Sequence, residues 1–286
     1  MKLVLFNDFK PGVLKDEKVY DFSHLINGID FSRYPRETIE HMITHFDHLL
    51  PELNKLLNQS TGVAVKSVHL RAPSPDPRQL LCAAKNYKDG HEIPKPDFFL
   101  KAKETIIGPD ESVHLPSVDA KVFNAEPELA VIIKKKAQNV SAADAMNYVF
   151  GYTCFLDVSA RKVSPTYYMH KSYWTFAPLG PHIVTADEIR DPHNLRIRLW
   201  VDSDLRQDFS TSLMANRIER LIESASSVCP LYPGDIIPTG THHIGLGPIQ
   251  DGETVTIDIE KVGSMSVKVS DPLKRKWEKP APLKEA

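Results

Sequence analysis

Three carboxylates fall close together in the stretch NAEPELAVIIKKKAQNVSAADAMNYVFGYTCFLDVSAR, residues 124–161: Glu126, Glu128 and Asp157. In an extended chain residues i and i+2 point to one face about 6.6 Å apart, so Glu126 and Glu128 can reach a common point while Pro127 faces away. A proline cannot donate to a sheet ladder and belongs at the start or edge of a strand. That places the pair at the mouth of a strand Leu129–Ile133, where a site would open. A second apolar run, Tyr148–Leu156, reads as a buried strand that delivers Asp157 at its end, before Ser159 and Arg161. Between the runs the sequence predicts a short helix, with Ser141 as N-cap, Ala142, Ala143 and Ala145 as good formers, and Asp144 near the positive end of the dipole. Strand, helix, strand can thus bring the three acids together. Three carboxylates without a nearby Cys or His ligand favour a hard divalent cation, Mg²⁺, Mn²⁺ or Ca²⁺, over zinc. On spacing alone the same residues also fit the wet face of a half-exposed strand, since Glu-x-Glu is common by chance.

The elements that must hold these acids belong to a chain of 286 residues, 42% hydrophobic, which can bury a sizeable core in one or two domains. A formal net charge of −2 with both signs abundant gives no large basic field and argues against nucleic acid as a partner. A small anionic ligand needs only local positive charge. Cys82, Cys154 and Cys229 are odd in number, well separated and set in apolar surroundings, which reads as buried thiols in a reducing, cytoplasmic compartment. Leu3–Phe6 is too short for the core of a signal peptide and no later run approaches a membrane span, so neither targeting nor a membrane is expected.

Residues 1–72 read as a small N-terminal domain. It opens with a strand and a Pro11-Gly12 turn, then becomes helical near Pro35, where Ile39, Met42, Ile43, Phe46, Leu49 and Leu50 recur at helical spacing. Pro51 is expected to end this helix and start another. His41, His45 and His48 recur at i, i+4 and i+7, a spacing that could bind metal or simply form the helix's wet edge. Pro73, Pro75 and Pro77 read as a stiff linker to a second domain, residues 73–286. The chain's 22 prolines, against about 14 at average usage, indicate short strands and turns. Leu195, Ile197, Leu199 and Val201 alternate with polar residues as in a half-buried strand, and Val255, Ile257 and Ile259 repeat the pattern. Thr211–Val228 predicts one more helix, with Met214, Ile218, Leu221, Ile222 and Ala225 on one stripe. The Lys- and Pro-rich end from Lys274 reads as a solvated tail. There is no solenoid or propeller repeat, and neither a dinucleotide fingerprint nor a P-loop. The fold class is α+β, rich in β.

EPELAVII followed by GYT-x-x-x-DVSAR resembles the signature of the fumarylacetoacetate hydrolase superfamily. KSYWTFAPLGPHIVTADEI is similar to its K-x-F-D-T-F-x-P-x-G-P segment, and PGDIIPTGTHHIGLG to its P-G-D-x-I-x-T-G-T-P-x-G-V-G turn; the resemblance runs from about Leu80 to Val269. It implies a mixed β-roll catalytic domain with flanking helices, usually a homodimer. It also implies metal ligation by Glu126, Glu128 and Asp157, an active-site lysine at Lys171, and substrate contacts from Arg161, Gly240, Thr241 and Tyr87. Physically, an ammonium at Lys171 beside Tyr168, Tyr173 and Trp174 could pair with a substrate carboxylate or a developing enolate oxygen.

The departures bear on mechanism. Hydrolases of this superfamily carry N-Y-x-D-H-x-x-E in a mobile lid, where His and Glu form a dyad that activates water. Here the segment is Asn86-Tyr87-Lys88-Asp89-Gly90-His91-Glu92, followed by Pro94 and Pro96. Glycine stands where the His belongs, His91 and Glu92 are adjacent, and little chain remains for a lid helix. Trp174 replaces the motif's Asp, Lys162 follows Arg161 where Asp is usual, Ser164 stands where several relatives carry Gln, and His242 replaces Pro. The resemblance implies metal-dependent hydrolysis of a carbon–carbon bond in a small 2,4-dioxo acid of the acylpyruvate or fumarylacetoacetate type, with His91 and Glu92 as the base. The alternatives are a lyase on the same scaffold, either an oxo-acid decarboxylase or a hydro-lyase or isomerase, and a metal- and ligand-binding protein without turnover, which the shortened lid favours.

Overall fold

Two long antiparallel strands, Val122–Ile133 and Val149–Arg161, form the spine of the protein. They are described by a computed structural model covering residues 1–88 and 95–283; His91 and Glu92 lie outside the described residues. The spine belongs to a ten-stranded sheet, in which Ile236–Pro238 lies on one side and Ala177–Thr185 on the other. The first strand, Lys2–Phe6, pairs with Ala177–Thr185 through Lys2↔Val184 and Leu3↔Ile183, so the N-terminal segment extends the same sheet. A five-stranded sheet includes the strands Arg196–Val201 and Thr254–Ile259, both with the alternating burial the sequence predicts.

Each face of the spine meets a different layer. Leu129, Val131, Ile133, Cys154, Leu156 and Val158 share one core with Ile197, Leu199, Ile257 and Ile259 of the second sheet. Residues of opposite parity, Ala130, Ile132 and Phe155, pack with Ile39, Met42, Ile43, Phe46, Leu49 and Leu53 of helices α1 (Pro35–Thr44) and α2 (Phe46–Gln59). A strand covered on both faces must be apolar nearly throughout. The three acids interrupt that rule on the helix-side face, at the end where a small pocket opens and neither helix lines the surface.

Several expectations are corrected. The acids are not at strand mouths: the glutamate strand begins at Val122, and Asp157 lies inside a strand that runs on to Arg161. Pro127 is accommodated because odd-numbered residues of its strand turn their backbone groups toward the edge that Ile236–Pro238 covers only at Ala130–Ile132. There the Thr239 N–H donates to the Leu129 carbonyl (3.0 Å) and the Ile249 N–H to the Phe123 carbonyl (2.9 Å), bracketing the proline without needing its missing donor. The connection between the two strands is a turn with a 3-10 segment, Ala145–Tyr148, too short to nucleate an α-helix. Ser141 Oγ bonds the Asp144 carboxylate at 2.7 Å instead of capping.

Pro51 lies inside α2, and the helix break falls at His45. The proline costs one intrahelical bond, but Leu49 and Leu53 bury against the sheet on either side of it, and that packing carries the helix through. The expected helix from Thr211 reduces to α4, Ile218–Val228, with a 3-10 turn at Thr211–Leu213; Asn86 clamps the Asn216 backbone at both its carbonyl and its N–H (2.9 Å each), holding the intervening chain out of helix. The proline-rich segment packs down, with Ser74 Oγ donating to the Gly234 carbonyl at 2.9 Å. Cys82 and Cys154 are buried, whereas Cys229 is exposed just past α4. The C-terminal segment is no solvated tail: the Trp277 ring lies 5.8 Å from that of Phe123, Lys279 pairs with Glu253 at 2.5 Å, and the Leu283 N–H reaches the Leu205 carbonyl at 2.8 Å.

Candidate active site

The ladder register sets the site. Glu126 stands directly opposite Asp157, and Glu128 opposite Phe155, so two carboxylates are cross-strand neighbours and the third is one pleat along on the same face. Ligand oxygens of all three lie within 4.8 Å of one another, and all three residues are buried. Among the described residues this is the cluster of His, Cys, Asp or Glu side chains close enough to hold an ion. His41, His45 and His48 do not form one; the rings of His41 and His45 stack at 4.3 Å.

Buried carboxylates persist only when paired, and Lys171, Lys101 and Arg161 pair with two of these, Glu126 and Asp157. Lys171 ends the short helix α3, Tyr167–Lys171; its Nζ lies 2.6 Å from Glu126 Oε2 and also bonds Asp157 Oδ2. Lys101 Nζ donates to Asp157 Oδ1 (2.5 Å) and to the carbonyls of Val158 (3.1 Å) and Phe176 (2.8 Å). Arg161 donates Nε to Asn124 Oδ1 at 2.8 Å and Nη2 to Glu126 Oε1. Glu128 Oε2 accepts the Gly240 N–H at 2.7 Å. An ammonium has three donors. Lys101 uses all three inside the protein and is structural, whereas Lys171 uses two on carboxylates, with the Phe99 ring centroid 5.2 Å from its Nζ.

Backbone strain helps aim these groups. Thr175, a β-branched residue, is held at φ 71, a conformation that such residues adopt only under constraint. Its Oγ1 accepts the His114 N–H at 2.8 Å, and the next residue, Phe176, presents its carbonyl to Lys101.

Electrostatics divide the acids. Burial opposes ionisation of Glu126, but Lys171 and Arg161 outweigh it and hold its carboxyl at about 2. Burial pushes Glu128 well above the usual carboxylate range, Asp157 and Glu126 push further, and Lys171 and the Gly240 N–H only partly offset them. Burial disfavours the Lys171 ammonium, yet Asp157 and Glu126 prevail and raise its pKa. For Lys101 burial prevails over Asp157, and its pKa is lowered.

The pocket over the cluster holds about 140 Å³, well under the roughly 300–1,000 Å³ of sites for drug-sized ligands, which suits a small acid. It brings together the expected Glu126, Glu128, Asp157, Arg161, Lys171, Gly240 and Thr241. Tyr87 is not part of its lining; that ring is buried edge-on against Phe209 at 5.2 Å. Of the aromatic residues expected around Lys171, Tyr168 and Trp174 are exposed, Trp174 stacking on His114 at 5.1 Å. Phe99 and Tyr167, stacked at 4.7 Å, line the pocket in their place. Sequence reasoning also passed over Lys85, Lys101 and His243. Lys101 closes the apolar run Phe98–Leu100, and a lysine there was the one available signal.

The Fumarylacetoacetate (FAA) hydrolase C-terminal family model matches residues 77–270. The chain belongs to the fumarylacetoacetate hydrolase family and is an enzyme of it. It is 31% identical to a maleylpyruvate hydrolase of Aquipseudomonas alcaligenes over 94% of this chain and 99% of that one. The structure of a maleylpyruvate hydrolase from Sphingobium sp. SYK-6, in complex with manganese(II) and pyruvate, superposes with a TM-score of 0.87 at 36% identity, covering 95% of this chain and 99% of that one. A mitochondrial oxaloacetate tautomerase of Xenopus laevis is 38% identical over 70% of this chain and 68% of its own length. Among the described residues no helix is long and apolar enough to cross a membrane.

Proposed function

We propose that this enzyme hydrolyses a carbon–carbon bond in a small 2,4-dioxo acid of the acylpyruvate type, giving pyruvate or a related 2-oxo acid and a carboxylic acid. The observation that carries the reading is the buried Glu126, Glu128 and Asp157 cluster with Lys171 between two of its members. Near full-length similarity to maleylpyruvate hydrolases supports hydrolysis in particular.

The donor set fits a hard divalent ion: oxygen donors only, with Glu128 carrying a charge that the protein compensates poorly. Glu126, Glu128 and Asp157 would hold Mg²⁺ or Mn²⁺, which when bound supplies Lewis-acid stabilisation to a 2-oxo enolate. Three cations stand around the three carboxylates, paired with Glu126 and Asp157, so by charge count a divalent ion leaves two positive charges for a substrate carboxylate and an oxygen that gains charge during reaction.

The chain's residues then have distinct tasks. Arg161 and Thr241 orient the substrate carboxylate in the pocket. His91, steadied by Glu92, takes a proton from water as the water oxygen bonds to the distal carbonyl carbon. The tetrahedral oxyanion collapses, the bond between C3 and C4 breaks, and its electron pair passes to C3 as the enolate of the 2-oxo acid. Lys171 turns an N–H to the enolate oxygen, and the proton that His91 took from water passes to C3, which completes the 2-oxo acid and restores the base. The enzyme acts as a cytoplasmic homodimer.

A second reading, tautomerisation or lyase chemistry through the same enolate, draws on similarity to the oxaloacetate tautomerase. The test is to incubate the protein and Mg²⁺ or Mn²⁺ with acetylpyruvate, maleylpyruvate and oxaloacetate, following the enol absorbance and identifying products. Stoichiometric pyruvate and carboxylic acid are expected. Carbon dioxide release or enol–keto conversion, with no acid fragment from any dioxo compound, would move the enzyme to the second reading.

A further inference from the structure

The loop that supplies Gly240, Thr241 and His243 to the pocket continues to Gln250, and it is held from two sides. From below, Asn124 stands two residues before Glu126 on the same face of the strand and is only 6% exposed. Its Nδ2 donates to the Gly247 carbonyl at 3.2 Å, and its Oδ1 accepts Arg161 Nε at 2.8 Å. One amide therefore ties the loop to the guanidinium that lines the pocket.

From outside, the C-terminal segment presses on the same glycine. A Cβ at Gly247 would stand 2.6 Å from the Pro280 ring, so only hydrogen fits there. Arg206, 1% exposed, donates Nη1 to the Pro280 carbonyl at 3.2 Å, while its Nε and Nη2 have no partner among the described residues. Burying a guanidinium so incompletely satisfied is costly, and its one bond holds Pro280 against the loop. Gln250 adds a second clip, exchanging hydrogen bonds with the Trp277 backbone at 3.1 and 3.3 Å.

We propose that Asn124 is a positioning residue: it couples the Gly240–Gln250 loop, clamped by the C-terminal segment, to Arg161, so that loop and guanidinium are set together for a substrate carboxylate. This rests on the reading of the pocket as an oxo-acid site. An amide is the side chain that suits both contacts, since it donates to a carbonyl and accepts from a guanidinium through different atoms. Aspartate keeps the acceptor for Arg161 but turns a second acceptor toward the Gly247 carbonyl; alanine loses both contacts.

The test uses the full chain loaded with Mn²⁺ and pyruvate as the probe, with affinity read by calorimetry so that turnover is not required. Asn124→Ala is expected to weaken pyruvate binding about tenfold, as misalignment of a charge-assisted contact should, with Mn²⁺ affinity and Tm nearly unchanged. Asn124→Asp should recover part of the loss. Gly247→Ala, which wedges Pro280 away from outside, should weaken pyruvate similarly, and the double variant should lose no more than either single one, because both break the same link. If Asn124→Ala does not fold, Asn124→Asp and Gly247→Ala read the same quantity. Unchanged pyruvate affinity in these variants, additive losses in the double variant, or losses that merely follow a fall in Tm and Mn²⁺ affinity would overturn the relay while leaving the oxo-acid reading in place. Failure of the unsubstituted Mn²⁺-loaded protein to bind pyruvate would overturn both.

Discussion

Glu126 and Asp157 face each other directly across the antiparallel ladder and share the ammonium of Lys171. Like charges placed opposite one another in a sheet destabilise it, and here a third carboxylate is added one pleat away. The arrangement holds because cations reach Glu126 and Asp157 from α3, from Lys101 and from the end of Asp157's own strand, while Glu128 accepts the Gly240 N–H.

Glu128 should therefore separate metal binding from folding. Its folded pKa lies above the unfolded value, so its ionisation destabilises the metal-free protein at any pH above the unfolded value. Glu128→Gln removes that charge. The metal-free variant should melt no lower than the unsubstituted protein, while Mn²⁺ affinity by calorimetry should fall by more than the roughly 10–100-fold that outer-shell changes cost. A lower melting point with undiminished Mn²⁺ affinity would contradict the assignment.

The two buried lysines should behave differently. Lys101 is saturated by Asp157 and two carbonyls, so Lys101→Met breaks a buried pair and strands three acceptors, at a cost of about 3–5 kcal/mol in urea denaturation. Lys171→Met should instead lower kcat steeply when activity is measured with saturating Mn²⁺, which can still neutralise the carboxylates. Equal stability losses in both variants, with kcat preserved in Lys171→Met, would contradict the division.

His182 should leave a pH signature remote from the site. Burial, and then Lys2, push its pKa down from 6.5 to about 4, and its Nε2 bonds the Val262 carbonyl at 2.7 Å. Between those values the unfolded chain binds the extra proton, so stability rises with pH. The contribution, about 3 kcal/mol in total, is fully present above 6.5 and is lost as pH falls through about 4. His182→Gln should reduce the slope of unfolding free energy against pH by about 1.4 kcal/mol per unit in this window. An identical slope would mean that the imidazole is not buried neutral.

What could be read from sequence was local. Period two put Glu126 and Glu128 on one face, and the alternation at Arg196–Val201 and Thr254–Ile259 is as expected. What escaped was set by long-range packing. Nothing near Lys101 in sequence announces Asp157, and nothing near Pro51 shows that the sheet will hold α2 through it. The same limit misjudged the C-terminal segment: its lysines and prolines look solvated until Trp277 meets Phe123 and Lys279 meets Glu253. Tyr87 belonged to a recognisable motif, yet its ring is taken up by Phe209.

The central claim is water-driven carbon–carbon cleavage at the Glu126, Glu128 and Asp157 cluster, and oxygen labelling tests it most directly. Mn²⁺-loaded protein would turn over an acylpyruvate in water enriched in heavy oxygen, with both products analysed by mass spectrometry. The account predicts one labelled oxygen incorporated per carboxylic acid released, with the activity lost in Glu128→Gln. Consumption of the substrate without a labelled acid fragment, or cleavage undiminished in Glu128→Gln, would contradict it.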